Sequence, residues 1–482
     1  MSDPKKTPPE KSAGKKKLSL MALVLINVSA VLSLRGLPAQ AEEGYAIVFY
    51  LIVGALLFFI PSALVSAELA SGWQQKGGVF LWVKEAFGAK WGFLAIFMQW
   101  VQNIPWFPAV ITFIATAIAF IVNPALAENK LFVFVFINVL LWGCTLLNMK
   151  GSKWSTFLSS TGATAGVLIP GALLIVAGVV YLLAGNPPET AFQASALIPD
   201  LSDPSKLLML VSMLVGLSGI EMSAVHVTEV DDPGKNFPKA ILIATGIIIL
   251  VNILATLAIT VIVPLGQISA SEGIFEAFEL ALGKFGIQWL APVIFVLIAY
   301  GAFASVATWL VGPSQGVLQA AKEGYLPDKW QRTNTEGVPT TILIIQACIS
   351  SVLSISVLVT ASVQDAFLLM GSLTALLYMT MYVLMFAAAI RLRYKAADTP
   401  RPYCIPGGKV GIWALCGLGI LACLAVAFCG FLPPSDIGGG WAMAGYYAFI
   451  VIGYAALIIV PFVFYNRSQR KKASQPNNKA TL

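Results

Sequence analysis

The sequence predicts an all-α membrane protein with twelve transmembrane helices, and three observations carry that prediction. The 482 residues are 58% hydrophobic and only 11% charged, with a mean hydropathy of +0.83, whereas soluble globular proteins carry roughly 25% charged residues. The apolar residues fall in runs of about 20, the length that crosses a bilayer as a helix. The Lys and Arg residues gather at alternate ends of those runs. A net charge of +7 and a pI near 9.0 would suit nucleic acid, but basic residues split among span ends form no nucleic-acid face.

Twelve runs read as spans: 18–37, 46–69, 92–122, 131–147, 156–183, 207–227, 240–263, 287–321, 340–360, 364–390, 410–432 and 441–464. The first reads SLMALVLINVSAVLSLRGLP, with Ser29, Ser33, Arg35 and Gly36 in or near its outer half. It resembles a signal peptide ahead of Ala39-Gln40-Ala41, yet it is longer than a signal core and Arg35 interrupts it, so it is read as a retained span. Arg35 either snorkels outward or faces a cavity and attracts an anionic substrate; Gly36 and Pro38 beside it mark irregular backbone and favour the cavity.

The second span closes on Glu68, followed by the Gly77-Gly78 pair and an amphipathic stretch at 80–87. The third is long, which predicts tilt, and carries Gln99, Gln102 and Asn103 in QWVQNIPWFP. The fifth carries Ser159, Ser160 and Thr161. The sixth meets Gly216, Gly219 and the carboxylate Glu221, then His226, the one histidine of the chain, then Glu229, Asp231 and Asp232. After the seventh, 272–284 reads as a short amphipathic helix on the outer face. The eighth bears Ser305, Thr308 and Trp309, and the tenth bears Tyr378 and Tyr382, four apart and so on one helical face.

All but four of the 30 basic residues fall on the side shared by both termini; the exceptions are Arg35, Lys130, Lys206 and Lys284. The positive-inside rule then places both termini in the cytoplasm. The ends, 1–17 and 466–482, read as disordered lysine-rich tails that touch anionic lipid. The six cysteines show no pairing pattern and read as reduced packing residues.

Spans one and six are both interrupted. They hold corresponding positions if 18–183 and 207–390 are two halves of opposite topology, followed by two spans within 410–464. Interrupted segments in corresponding positions point to a transporter's binding site. An ionisable group at membrane depth is a functional candidate, and broken helices suit a zwitterion. A half-helix N-terminus meets a carboxylate, and half-helix carbonyls accept from an ammonium.

Most of these residues also have a structural reading. Buried Ser and Thr commonly bond their own helix, the tyrosines and tryptophans serve as interface anchors, and His226 and Glu221 are satisfied locally. A channel would show a ring of repeated charges or carbonyls, and a sensor would carry a soluble output domain; neither is visible. One histidine offers little for metal or acid–base chemistry, so no enzyme, cofactor or metal is expected. The expected partners are a small amino acid and membrane lipid, and the chain carries no signal for an oligomeric state.

At this point GGVFLWVKEAFGAKWGF, GIEMSAVHVTEVDDPGKNFPKA, WLVGPSQGVLQAAKEGYLP and the Tyr378/Tyr382 span together resemble the amino acid–polyamine–organocation superfamily. Within it they are most similar to the bacterial inner-membrane glutamate/GABA antiporter family, over about 18–464. The resemblance implies a leucine-transporter-type 5+5 inverted repeat, with helices 1 and 6 unwound and substrate held between helices 1, 3, 6, 8 and 10. It places the breaks at 29–35 and 216–221. It makes Glu221 the helix 6 carboxylate linked to gating and pH response, and puts Gln102, Trp309, Tyr378 and Tyr382 on the substrate path.

It also implies departures. Ser305 stands where acid-resistance antiporters carry a glutamate, and the end of the chain is shorter than their plugging tail. Hydroxyls take the place of a fifth-helix lysine, which leaves open a sodium site near Thr161, Ser305 and Thr308. The expectation is an amino acid antiporter working by alternating access, with ion-coupled symport as its alternative.

Overall fold

The structure, a computed structural model, describes residues 18–75, 77–200, 204–264, 273–360, 362–432 and 441–474. The segments 1–17 and 475–482, read above as tails, lie outside the described residues. Among the described residues the fold is helical throughout, apart from a single parallel bridge between Leu18 and Val230. Eleven helices are long and apolar enough to cross a membrane, and Met209–Ala224 forms a shorter apolar segment. That segment is the sixth of the predicted spans, cut short because its helix does not continue.

The first span begins with Ser19, whose side chain accepts from Ala22 N at 3.2 Å and satisfies one of the orphan N–H groups of a helix start. The helix Leu20–Val31 then stops at Leu32 and Ser33, both extended, and a short 3₁₀ turn at Leu34–Gly36 leads into Leu37–Ala41. In the sixth span, helix Pro204–Gly216 ends, Gly219 takes φ +122°, and the chain resumes as the 3₁₀ segment Ile220–Glu229. The two interrupted segments meet at one end, where Leu18 N donates to Glu229 O at 2.8 Å.

Backbone released inside the bundle is satisfied locally, as an apolar surround demands. The third span divides at Gln102 into Ala89–Val101 and Asn103–Val122. Pro108 has no N–H to offer Ile104, four residues back. The Ile104 carbonyl accepts instead from Ser350 Oγ at 2.9 Å, and the Pro108 carbonyl accepts from Thr112 Oγ1 at 2.9 Å. The fifth span carries a π segment at Ala163–Leu168. There it crosses helix Ala291–Lys322 so closely that a Cβ on Gly166 would sit 2.3 Å from Gly301 Cα. Only glycine admits that approach.

The second span ends in a buried ion network. Glu68, 3% exposed, receives Arg393 Nε at 2.6 Å, a second Arg393 nitrogen and Ile405 N at 2.8 Å, with Arg401 Nε at 3.6 Å. It fixes the end of helix Ile60–Gly72 to the end of helix Val363–Lys395 and the loop beyond.

Two sequence expectations are corrected. The short helix Gly273–Lys284 forms, but its apolar face is not left for lipid: Phe275 is fully buried, against Phe113, Phe120 and Phe295. Its apolar face therefore faces protein. The predicted tail does not begin at 466, because helix Trp441–Ser474 continues past that point to Ser474. Its basic end finds partners, with Lys472 Nζ 2.9 Å from Glu323 O and Lys471 Nζ 3.4 Å from Asp328. The six cysteines are free, as expected.

Candidate substrate site at the helix breaks

The site forms where both breaks pass helix Val363–Lys395. Glu221 sits in the first turn after the second break and is 1% exposed. Its carboxylate accepts from Gln99 Nε2 at 2.9 Å, from the Tyr378 hydroxyl at 2.6 Å and from the Tyr382 hydroxyl. Among the described residues no cation pairs with it. A buried carboxylate is normally costly; here neutral donors satisfy it and leave no fixed counter-charge in the site.

Tyr382 also closes the backbone gap. Its hydroxyl accepts from Gly219 N at 2.7 Å, one of the N–H groups that the break frees. The four-residue spacing places both tyrosines on one face, with ring centroids 4.8 Å apart. Phe58 meets the Tyr382 ring edge-on at 4.9 Å, which limits the positions its hydroxyl can take.

Trp309 bridges to the first break. Its Nε1 donates to Ala30 O at 3.2 Å, just before the first helix unwinds. Its ring lies 5.8 Å from Trp106 and 5.8 Å from Tyr378. Gly219 is needed where these parts converge: a Cβ there would stand 2.9 Å from the Trp309 ring and 3.2 Å from Ala30 O.

Of the residues read from sequence, Gly219, Glu221, Trp309, Tyr378 and Tyr382 form this one cluster. Gly216 ends the helix leading into it, with open space around the glycine. Ser29 is buried on the first helix, and Ser305 is half-buried on the Trp309 helix. Other residues are turned elsewhere. Gln102 Nε2 donates to Asn103 Oδ1 at 2.9 Å and not to Glu221. Gln99 meets the carboxylate instead, three residues before Gln102, and only the packing decides which of the two does.

Ser33 is exposed and caps Arg35 N at 3.4 Å. His226 Nδ1 lies 3.1 Å from Glu229. The residues expected for sodium are divided, because Thr308 Oγ1 bonds Ser159 while Thr161 Oγ1 is 2.6 Å from the Tyr300 hydroxyl. Arg35 lies over the Phe367 ring at 5.1 Å.

Eleven helices among the described residues long and apolar enough to cross a membrane, with a broken, carboxylate-bearing segment, define an integral membrane protein of the transporter class. The amino acid permease family profile matches residues 18–457, and the chain belongs to that family, within the amino acid–polyamine–organocation superfamily. It is a transporter, not an enzyme. It is 38% identical to an uncharacterized transporter of Legionella pneumophila over 96% of this chain and 99% of that protein. It is 32% identical to a glutamate/gamma-aminobutyrate antiporter of Lactococcus lactis over 95% of this chain and 92% of that one. A cadaverine/lysine antiporter of Escherichia coli is 23% identical over 75% of this chain and 80% of its own length.

Proposed function

We propose that this chain is an amino acid antiporter of the glutamate/GABA type, working by alternating access in a bacterial inner membrane with both termini cytoplasmic. The observation that carries the reading is Glu221, held at the second helix break by Gln99, Tyr378 and Tyr382 with no cation paired to it among the described residues. A substrate ammonium brings the missing positive charge and competes for the same carboxylate. The substrate carboxylate suits the N–H groups freed at the breaks. Glutamate and GABA share an ammonium and a carboxylate, so one site built this way accommodates both.

The broken segment 204–229 serves as the twelfth crossing, and the arrangement suits the leucine-transporter type of inverted repeat. Rocking of one bundle against the other would expose the Glu221 cluster to each side in turn. Tyr382 is placed to report that motion, since it holds both the carboxylate and the break.

Proteoliposomes test the reading. Vesicles loaded with glutamate, GABA, glutamine or buffer alone are given labelled glutamate, with and without proton and sodium gradients. Uptake that requires internal glutamate or GABA and ignores sodium supports exchange. Equal uptake into empty vesicles driven by an ion gradient would replace exchange with symport.

A further inference from the structure

We infer that Arg35 forms an anion subsite outward of the Glu221 cluster, which binds the side-chain carboxylate of an acidic amino acid approaching from the side opposite the basic loops. The inference rests on the amino acid transport reading and deepens it by naming the substrate charge selected on entry.

Four cations lie away from the basic loops, and three are engaged. Lys130 Nζ donates to Thr360 O at 2.7 Å, Lys206 Nζ pairs with Glu43 at 2.9 Å, and Lys284 pairs with Glu189. Arg35 differs. Its Nη1 is buried and has no hydrogen-bond partner among the described residues. Asp365, two residues before Phe367 on the same helix, is committed to a capping box with Ser362. The face of Phe367 attracts the guanidinium but offers no lone pair in the direction of an N–H. A carboxylate supplies what is missing, because the planar guanidinium fork matches its two oxygens.

Position separates this subsite from the central one. Phe367 precedes Tyr378 by eleven residues on one continuous helix, which is roughly 16 Å along its axis. Arg35 lies two residues after Ser33, the exposed residue at the end of the first break. A solute entering from that side meets Arg35 before it meets Glu221. Arg35 follows the break in the first span, and Glu221 follows the break in the sixth.

Right-side-out proteoliposomes carrying wild type, Arg35→Lys or Arg35→Gln test the inference through the external KM for glutamate, glutamine and GABA. For Arg35→Gln the external glutamate KM is expected to rise about 10- to 100-fold, the loss of a charge-assisted contact. Glutamine and GABA KM should move less than about twofold, because each is a zwitterion whose ammonium offsets the attraction of its carboxylate to Arg35, and internal KM should hold. Arg35→Lys should restore part of the glutamate affinity. Equal shifts for glutamate and glutamine, or an unchanged glutamate KM, overturn the subsite.

A binding arm stands apart from transport, with thermal stability measured in detergent against glutarate, which keeps two carboxylates and lacks the amine. Glutarate should stabilise wild type and not Arg35→Gln. Stabilisation of both, or of neither, overturns the subsite even where exchange proceeds. Absence of wild-type amino acid exchange together with an Arg35-dependent glutarate effect overturns the transport reading alone.

Discussion

The Tyr382 hydroxyl accepts from Gly219 N at 2.7 Å and donates to Glu221, so one side chain satisfies both the broken backbone and the carboxylate beside it. Removing that hydroxyl leaves a buried N–H without an acceptor and takes one donor from the carboxylate. Each such loss costs about 1–3 kcal/mol. Tyr382→Phe should therefore slow exchange by roughly ten- to a hundredfold while the protein stays folded. Initial rates in proteoliposomes, beside a melting curve, check this; wild-type rates would detach Tyr382 from the transport step.

Glu221→Gln keeps the shape of the side chain and turns an N–H₂ group toward hydroxyls that already donate. Exchange should fall at least tenfold, as expected when a buried charge-assisted contact is lost, and its dependence on pH should flatten. Rates followed from about pH 5 to pH 8 provide the measurement. A variant with wild-type rates throughout that range would remove Glu221 from gating.

Gly219→Ala places a methyl 2.9 Å from the Trp309 ring at a residue with φ +122°. Backbone strain of this kind costs about 1–3 kcal/mol, and the ring must also shift. Lower thermal stability with loss of exchange is expected, the larger effect falling on exchange. Gly216→Ala is the control, because nothing lies within 4 Å of a Cβ there.

Glu68→Ala takes the carboxylate from two arginine side chains, 12% and 6% exposed, and the acceptor from the Ile405 N–H. Breaking a buried pair by removing one partner costs about 3–5 kcal/mol. Melting temperature and yield should both fall sharply. A melting temperature equal to wild type would show that the network contributes nothing to holding the second and tenth spans together.

Outside the spans, a hydrogen bond from Lys284 lowers the Glu189 carboxyl below its ordinary value of 4.5. Burial alone would lower Lys284, but the bond to Glu189 outweighs it and leaves the ammonium raised. A depressed carboxylate stabilises the fold above its unfolded pKa, and that contribution fades as pH falls through the folded value. The pair is about one-third exposed, so its worth is about 0.2–1 kcal/mol. Glu189→Gln should lower the melting temperature slightly at pH 7 and lose that difference under strong acid or high salt. An undiminished difference in acid would contradict the pairing.

The chain by itself determined the membrane class and the two interruptions. Bilayer thickness sets run length, and a glycine next to a lone carboxylate has few uses in hydrocarbon. It also put Tyr378 and Tyr382 on one face, because helical spacing alone decides that. Tertiary packing decided which neighbours each break would have. Gln99 and Gln102 are three residues apart and chemically identical, and only the turn at Gln102 aims the first at Glu221. Helix Gly273–Lys284 reads the same whether its apolar face meets lipid or protein, and Phe113, Phe120 and Phe295 settle it. Arg35 looked like one member of a single site. Helix Val363–Lys395 separates it from Glu221 by three turns, a distance along a neighbouring helix that no local sequence pattern contains.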